Sequence, residues 1–287
     1  MTDRLSLQRE ALRSALQLRR SLSIPRHEPV NVYDAADAHG VEIQFVDRPS
    51  LEGMFFRAPD PKIILPCLRH RPRGRVTFSC AHELGHFELG HGTQVDEYLE
   101  GEPRAKTDEE IAADTFASSL LMPRPAVIDR FACRGWDSES ATPLQLFVIA
   151  GELDVGYTTL IKHLCYGLQL VDRNWLSERE RTTPKSLRQF ITADPTTKRV
   201  VLIDGHWPNV PIDLEVGDSF AVPMDIRLSR TDWDDEKGIH KNWHVFSPRQ
   251  PGIYEVDVAD AHRIMRVARA GFCGFFRYRY LEEAENT

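Results

Sequence analysis

The sequence predicts an α+β protein in two parts. A mostly helical amino-terminal core includes a small β-sheet and a helix-turn-helix-like pair, and a smaller, mostly β domain follows it. Three observations predict this. Apolar residues recur at helical spacing through much of residues 5–168. The interval 41–65 instead alternates as half-buried strands do. From Arg199 onward, short runs of β-branched and aromatic residues are separated by turns such as Asp204-Gly205. The expected boundaries are a first domain over 1–178, a linker over 179–195 and a β-rich domain over 196–287.

In chain order, residues 5–22 read as a helix with Leu5, Leu12 and Leu16 among its apolar positions and arginines on other faces; Pro25 ends it. Residues 31–40 form a second helix, closed by Gly40. A strand at 41–46 precedes a hairpin of 53–57 and 62–65 around Ala58-Pro59-Asp60-Pro61. The sheet is either plain core or an edge to which an extended peptide adds by main-chain hydrogen bonds. Arg69, His70, Arg71, Arg73 and Arg75 make a basic run before the next helix, where cations oppose the macrodipole. It reads as solvated loop charge, or as an attractor for acidic substrate or phosphate.

Residues 75–91 continue as helix, with Pro72 suited to its first turn. A polar loop over 92–106 leads to a helix over 107–122, acidic in its first turn and stopped by Pro123. A short helix follows at 125–131, then a helix pair over 142–152 and 158–168. The second of the pair offers mainly Lys162 and His163 for base contacts, so packing is the favoured role over DNA reading. The charged stretch 173–195 holds a helix within 186–191. Strands are expected at 200–203, 219–223, 253–258, 262–267 and 275–281.

Chemistry concentrates at His82-Glu83-Leu84-Gly85-His86. On a helix His82 and His86 lie one turn apart on one face, so both rings can bind one metal ion. Glu83 sits beside that face, placed to take a proton from water that the metal acidifies. Zinc needs a third protein ligand while one position stays open. Gly90 and His91 miss the metzincin spacing, so His91 is expected to hydrogen-bond near the helix end. The third ligand is expected from the 107–122 helix. Glu110 is favoured and Glu109 is its rival; Asp114, one turn beyond Glu110, could accept the second ring N–H of a ligand histidine. Glu110 also completes a capping box with Thr107 and could serve only as a cap.

These two segments, His82 to His91 and Glu110-x-x-Ala113-Asp114-x-Phe116-Ala117-x-x-Leu120-Leu121-Met122-Pro123, resemble the ImmA/IrrE family of bacterial and phage metallopeptidases over roughly residues 5–175. Ala112 stands where the family often has a second acid. The resemblance implies a Zn2+ site of His82, His86 and Glu110 with Glu83 as base. It further implies cleavage of a helix-turn-helix repressor encoded nearby, which releases a stress, mobile-element or defence operon. Relatives can carry a carboxy-terminal sensor domain, and residues 196–287 would take that place, with a small-molecule activator as one expected ligand. The rival from another class is a zinc-containing regulator that binds a repressor or single-stranded DNA without cutting. The intact Glu83 weighs against it.

The net charge of −7 argues against bulk coating of nucleic acid, though local patches remain possible. No apolar run is long enough to span a membrane, and the amino terminus lacks a hydrophobic signal core, so a cytoplasmic place is expected. The five scattered cysteines form no disulfide framework. One of them, Cys67, is a candidate to fill the open zinc position in an inactive state. Near the end, Arg277 and Arg279 alternate with Phe276, Tyr278 and Tyr280. Such a strand suits a single-strand nucleic-acid or sensor surface, or else an amphipathic strand with its arginines in water.

Overall fold

The computed structural model describes residues 4–97, 107–228, 234–259 and 261–281. Among these, the helices are α1 (Arg4–Ser21), α2 (Val32–Ala38), α3 (Arg73–Glu88), α4 (Asp108–Leu121), α5 (Arg124–Ala132), α6 (Pro143–Glu152), α7 (Tyr157–Lys162), α8 (Arg173–Arg179) and α9 (Pro184–Thr192). The strands are β1 (Glu42–Val46), β2 (Leu51–Phe56), β3 (Lys62–Pro66), β4 (Gln94–Glu97), β5 (Val200–Leu202), β6 (Ile212–Glu215), β7 (Ser219–Pro223), β8 (Asp234–His240), β9 (Trp243–Pro248), β10 (Gly252–Val258), β11 (Ala261–Ala268) and β12 (Gly274–Phe275). The α+β class holds, with a mostly β carboxy-terminal region. Contacts divide the chain into two units. The first is Met1–Arg130, Leu153–Gly156 and Cys273–Phe276; the second is Phe131–Glu152, Tyr157–Phe272 and Arg277–Thr287.

The first unit is built on a sheet of order β12-β1-β3-β2-β4. Strands β1 and β3 run parallel, and β2 and β3 form the expected hairpin. Burial alternates along β1 and β2, as period-two strands require when one face meets the core. One strand and one pairing were not expected. β4 lies within the stretch read as polar loop, and β12 returns from the far end of the chain to pair antiparallel with β1. β4 has no run long enough to show as a strand; each is fixed by the neighbour it pairs with.

Helix α1 buries Ala11, Ala15, Leu18 and Arg19. Arg19 turns inward with these apolar residues, on a face the sequence left to the leucines. Its guanidinium donates to the Leu120 and Pro25 carbonyls at 2.8 Å each, and to that of Glu28, and burial lowers its pKa to about 10. Asn31 caps α2 by accepting from the Tyr33 and Asp34 N–H groups.

The basic run is partnered by acids: Arg73 is buried, while Arg69 and Arg75 stay about half exposed, as loop charge would. Arg73 donates to both oxygens of Asp154, at 2.6 and 2.8 Å. Arg71 and Arg75 both reach Glu52, and Arg69 pairs with Asp47. Acids brought in from distant segments offset the charge that the α3 amino terminus disfavours. Gly74 makes room for this arrangement: a Cβ there would lie 2.5 Å from the Val155 carbonyl carbon.

In the second unit, β5-β7-β9-β8 and β10-β11-β6 form two sheets. One core gathers Phe220, Phe246, Met265, Val267 and Trp207, and another gathers Val148 of α6, Ile191 of α9 and Val200 of β5. Segment 179–195, read as a linker, thus carries a helix whose Ile191 is fully buried. The last expected strand, 275–281, is mostly absent. After Phe275 the chain makes a 3-10 turn over Phe276–Tyr278.

Candidate metal centre

Helix α3 presents His82, Glu83 and His86 on a buried stretch. Helix α4 crosses it, and Gly85 decides how closely. A Cβ on Gly85 would meet Phe116 Cδ1 at 3.0 Å and Ala113 Cα at 3.2 Å. Glycine here costs helix propensity of roughly 1 kcal/mol relative to alanine, but it lets the α4 backbone come in close. Thr107 caps α4 by accepting the Glu110 N–H at 3.2 Å. The Glu110 carboxylate does not turn back to complete a capping box; it goes to the histidines. Glu109 is exposed.

The three donors converge. His82 Nε2 and His86 Nε2 are 3.0 Å apart, and Glu110 lies 3.3 Å from the first and 3.5 Å from the second. For zinc with ligands at about 2.0–2.1 Å, tetrahedral geometry puts neighbouring donors about 3.3 Å apart, so the set fits that ion. The remaining ring nitrogens are held as well. His82 Nδ1 donates to Asp114 Oδ1 at 3.0 Å. His86 Nδ1 lies 2.8 Å from His91 Nδ1, with His86 as donor in the tautomer that frees its Nε2 lone pair. His91 thus has the helix-end hydrogen bond expected of it, and its partner is His86.

Electrostatics agree with a cation site. Burial pulls the His82 imidazolium pKa down, but hydrogen bonds to Asp114 and Glu110 and the charge of Glu83 outweigh it and push the value up to about 10. Hydrogen bonds to His82 and His86 hold Glu110 well below the usual carboxylate range, against the effect of burial. Burial lowers His91, and the charge of His86 adds to this.

Glu83 is 1% exposed and rests against β2. A Cβ on Gly53 would lie 2.5 Å from its Oε1. Sequence reasoning missed Gly53, since nothing local links a strand glycine to a helix thirty residues on. A register irregularity in the β2–β4 pairing at Leu51/Gly53 marks the place in the fold.

Other candidates fall elsewhere. Tyr33 is buried with its hydroxyl 3.1 Å from the Thr77 Oγ1. Tyr98 lies outside the described residues. The Cys67 thiol groups with Asp47 and His70 and is not among the His82–His86–Glu110 donors, so the open-position reading of Cys67 is not supported. Arg279, expected on a binding surface, is 1% exposed and pairs with Glu215 at 3.0 Å. The turn after Phe275 breaks the alternation that would have kept it outside. Arg277 is exposed.

Two histidines one turn apart on a helix, a carboxylate delivered by a second helix and an acid next to the first histidine are the features of an HExxH peptidase-type metal site. Residues 36–163 match the Peptidase_M78 family, described as the IrrE N-terminal-like domain, and the chain carries an ImmA/IrrE-family domain there. That span contains every residue of the site. No curated protein matches the chain. Among the described residues, no single helix is long and apolar enough to cross a membrane.

Proposed function

We propose that this chain is a zinc-dependent endopeptidase of narrow specificity. Its substrate is a helix-turn-helix transcriptional repressor encoded nearby, and cleavage derepresses a stress, mobile-element or defence operon in the cytoplasm. The observation that carries the reading is the convergence of His82, His86 and Glu110 at zinc-compatible separations, with Glu83 on the next position of the same helix. His82, His86 and Glu110 would hold the ion, which when bound would supply Lewis acidity towards the scissile carbonyl and towards water. Glu83 accepts the proton as water adds to the carbonyl carbon. It returns that proton to the nitrogen as the C–N bond breaks, so the acid is regenerated. Asp114 and His91 fix the ring orientations of His82 and His86.

The sheet gives a way to present a peptide. Strand β2 touches Glu83 through Gly53, and β4, the next strand, is an edge of this sheet among the described residues. An extended substrate segment pairing along β4 would run beside the site, with main-chain hydrogen bonds setting its register.

The test combines purified protein, zinc and the neighbouring gene's product. Wild type should yield discrete fragments, while Glu83→Gln should lose at least a hundredfold in rate and keep its zinc. Derepression retained in cells by Glu83→Gln, with no fragments from wild type, would favour the non-cutting regulator instead.

A further inference from the structure

A second group of metal-ligating side chains lies away from the first. Strands β1 and β3 are parallel neighbours, with Val46 opposite Pro66. The next residues, Asp47 and Cys67, therefore leave the sheet side by side, and the Cys67 N–H donates to the Val46 carbonyl at 2.9 Å. The chain turns at once: the His70 N–H donates to the Cys67 carbonyl at 3.1 Å. This brings the His70 ring back to Asp47, with Nε2 2.6 Å from Oδ1. One donor atom from each of Asp47, Cys67 and His70 falls within 4.8 Å of the other two. The thiol is fully buried, the imidazole half-buried and the carboxylate exposed, so the group opens to solvent on the Asp47 side.

We propose that Asp47, Cys67 and His70 form a second metal site, taking a borderline-soft divalent cation such as Zn2+. The donor set decides the class. A thiolate and an imidazole select zinc-like ions over calcium or magnesium, which take oxygen ligands. Three protein donors leave a fourth position for water at the open side. Zinc–sulfur and zinc–nitrogen distances of about 2.3 and 2.1 Å put the sulfur roughly 3.6 Å from its neighbours, so binding draws the thiol in by up to about 1 Å, opens the 2.6 Å His70–Asp47 contact to about 3.3 Å and releases the thiol proton to solvent. Arg69 pairs with the Asp47 Oδ2 and would have to turn away; its side chain is 50% exposed and free to do so. The site shares no ligand with His82, His86 and Glu110. Its last ligand stands three residues before α3 begins, so a bound ion would pin the turn from which the helix carrying His82 and His86 starts.

Cobalt separates the two sites, because a thiolate ligand gives a near-ultraviolet charge-transfer band and the first site has no thiol. The full chain, freed of metal and titrated with Co2+, should show this band. The band should persist in a His82→Ala/His86→Ala variant and vanish in Cys67→Ser. In His70→Ala, cobalt affinity measured by the band should fall at least tenfold; this half-buried position serves if Cys67→Ser does not fold. Zinc content after dialysis should be two per wild-type chain and one in either Cys67→Ser or the double-histidine variant. One zinc per wild-type chain with no thiolate band, or a band that survives Cys67→Ser, would overturn the proposal. Neither result depends on peptidase activity.

Discussion

Gly53 of β2 lies directly against Glu83 of α3, so that a methyl group on Gly53 would sit 2.5 Å from the Glu83 Oε1. The strand therefore acts as a stop that sets where the carboxylate can be. A carboxylate with a catalytic task must be held within a fraction of an ångström, and a displacement of about 1 Å can cost a hundredfold in rate.

Gly53→Ala tests this stop. The added carbon must push the carboxylate aside or shift the strand. The expected result is a fall in substrate cleavage of roughly ten- to a hundredfold. Zinc content should stay at the wild-type level, because no metal-binding side chain is touched. Equal losses of zinc and activity would show that the glycine serves the fold and not Glu83.

Asp114→Asn and His91→Ala probe the atoms behind the ligands. Asp114 holds the His82 ring and His91 holds that of His86. Each variant should weaken zinc affinity by about ten- to a hundredfold, read by competition with a chelating dye. Combined, the losses should multiply, since each acts on a different ring.

Metal uptake should release protons. In the metal-free chain the His82 pKa stands at about 10, above its ordinary value of 6.5. Its contribution to stability is then fully present below 6.5 and is lost as pH rises towards 10. Glu110 is depressed, so its contribution is present above 4.5 and lost as the solution is acidified. The metal-free domain should gain most from this pair between pH 4.5 and 6.5. Zinc must displace the His82 proton, so the stabilisation by zinc should grow as pH rises from 6 to 9, about the range in which that competition eases. Paired thermal melts with and without zinc measure it.

Arg279→Met should destabilise the second unit and leave the metal centre intact. It removes the partner of Glu215, a carboxylate whose pKa burial already raises against the pull of Arg279. Breaking a buried pair from one side costs roughly 3–5 kcal/mol. Denaturant unfolding followed by tryptophan fluorescence should report the loss. A stable variant with weakened binding to single-stranded DNA would return Arg279 to the surface role.

Much of the first unit was legible because its signals are local. Helical spacing put His82 and His86 on one face, and the acidic turn and Pro123 bounded α4. The alternation of 41–65 marked three strands. The buried pairings of Arg73 and Arg279 were missed for a shared reason. Their acid partners, Asp154 for Arg73 and Glu215 for Arg279, lie dozens of residues away, and no short-range pattern announces them.

By itself the sequence determined the histidine pair, the adjacent acid and the helix that must carry them, since one turn of helix is a fixed distance whatever surrounds it. Only the tertiary structure decided which acid of α4 turns to the histidines. The close approach permitted by Gly85 against Ala113 and Phe116 sets the rotation of that helix, leaving Glu110 inward and Glu109 outside. It also brought Gly53 to Glu83, returned β12 to the first sheet and gathered Asp47, Cys67 and His70. These are contacts between segments far apart in the chain, and they follow from how the elements pack together.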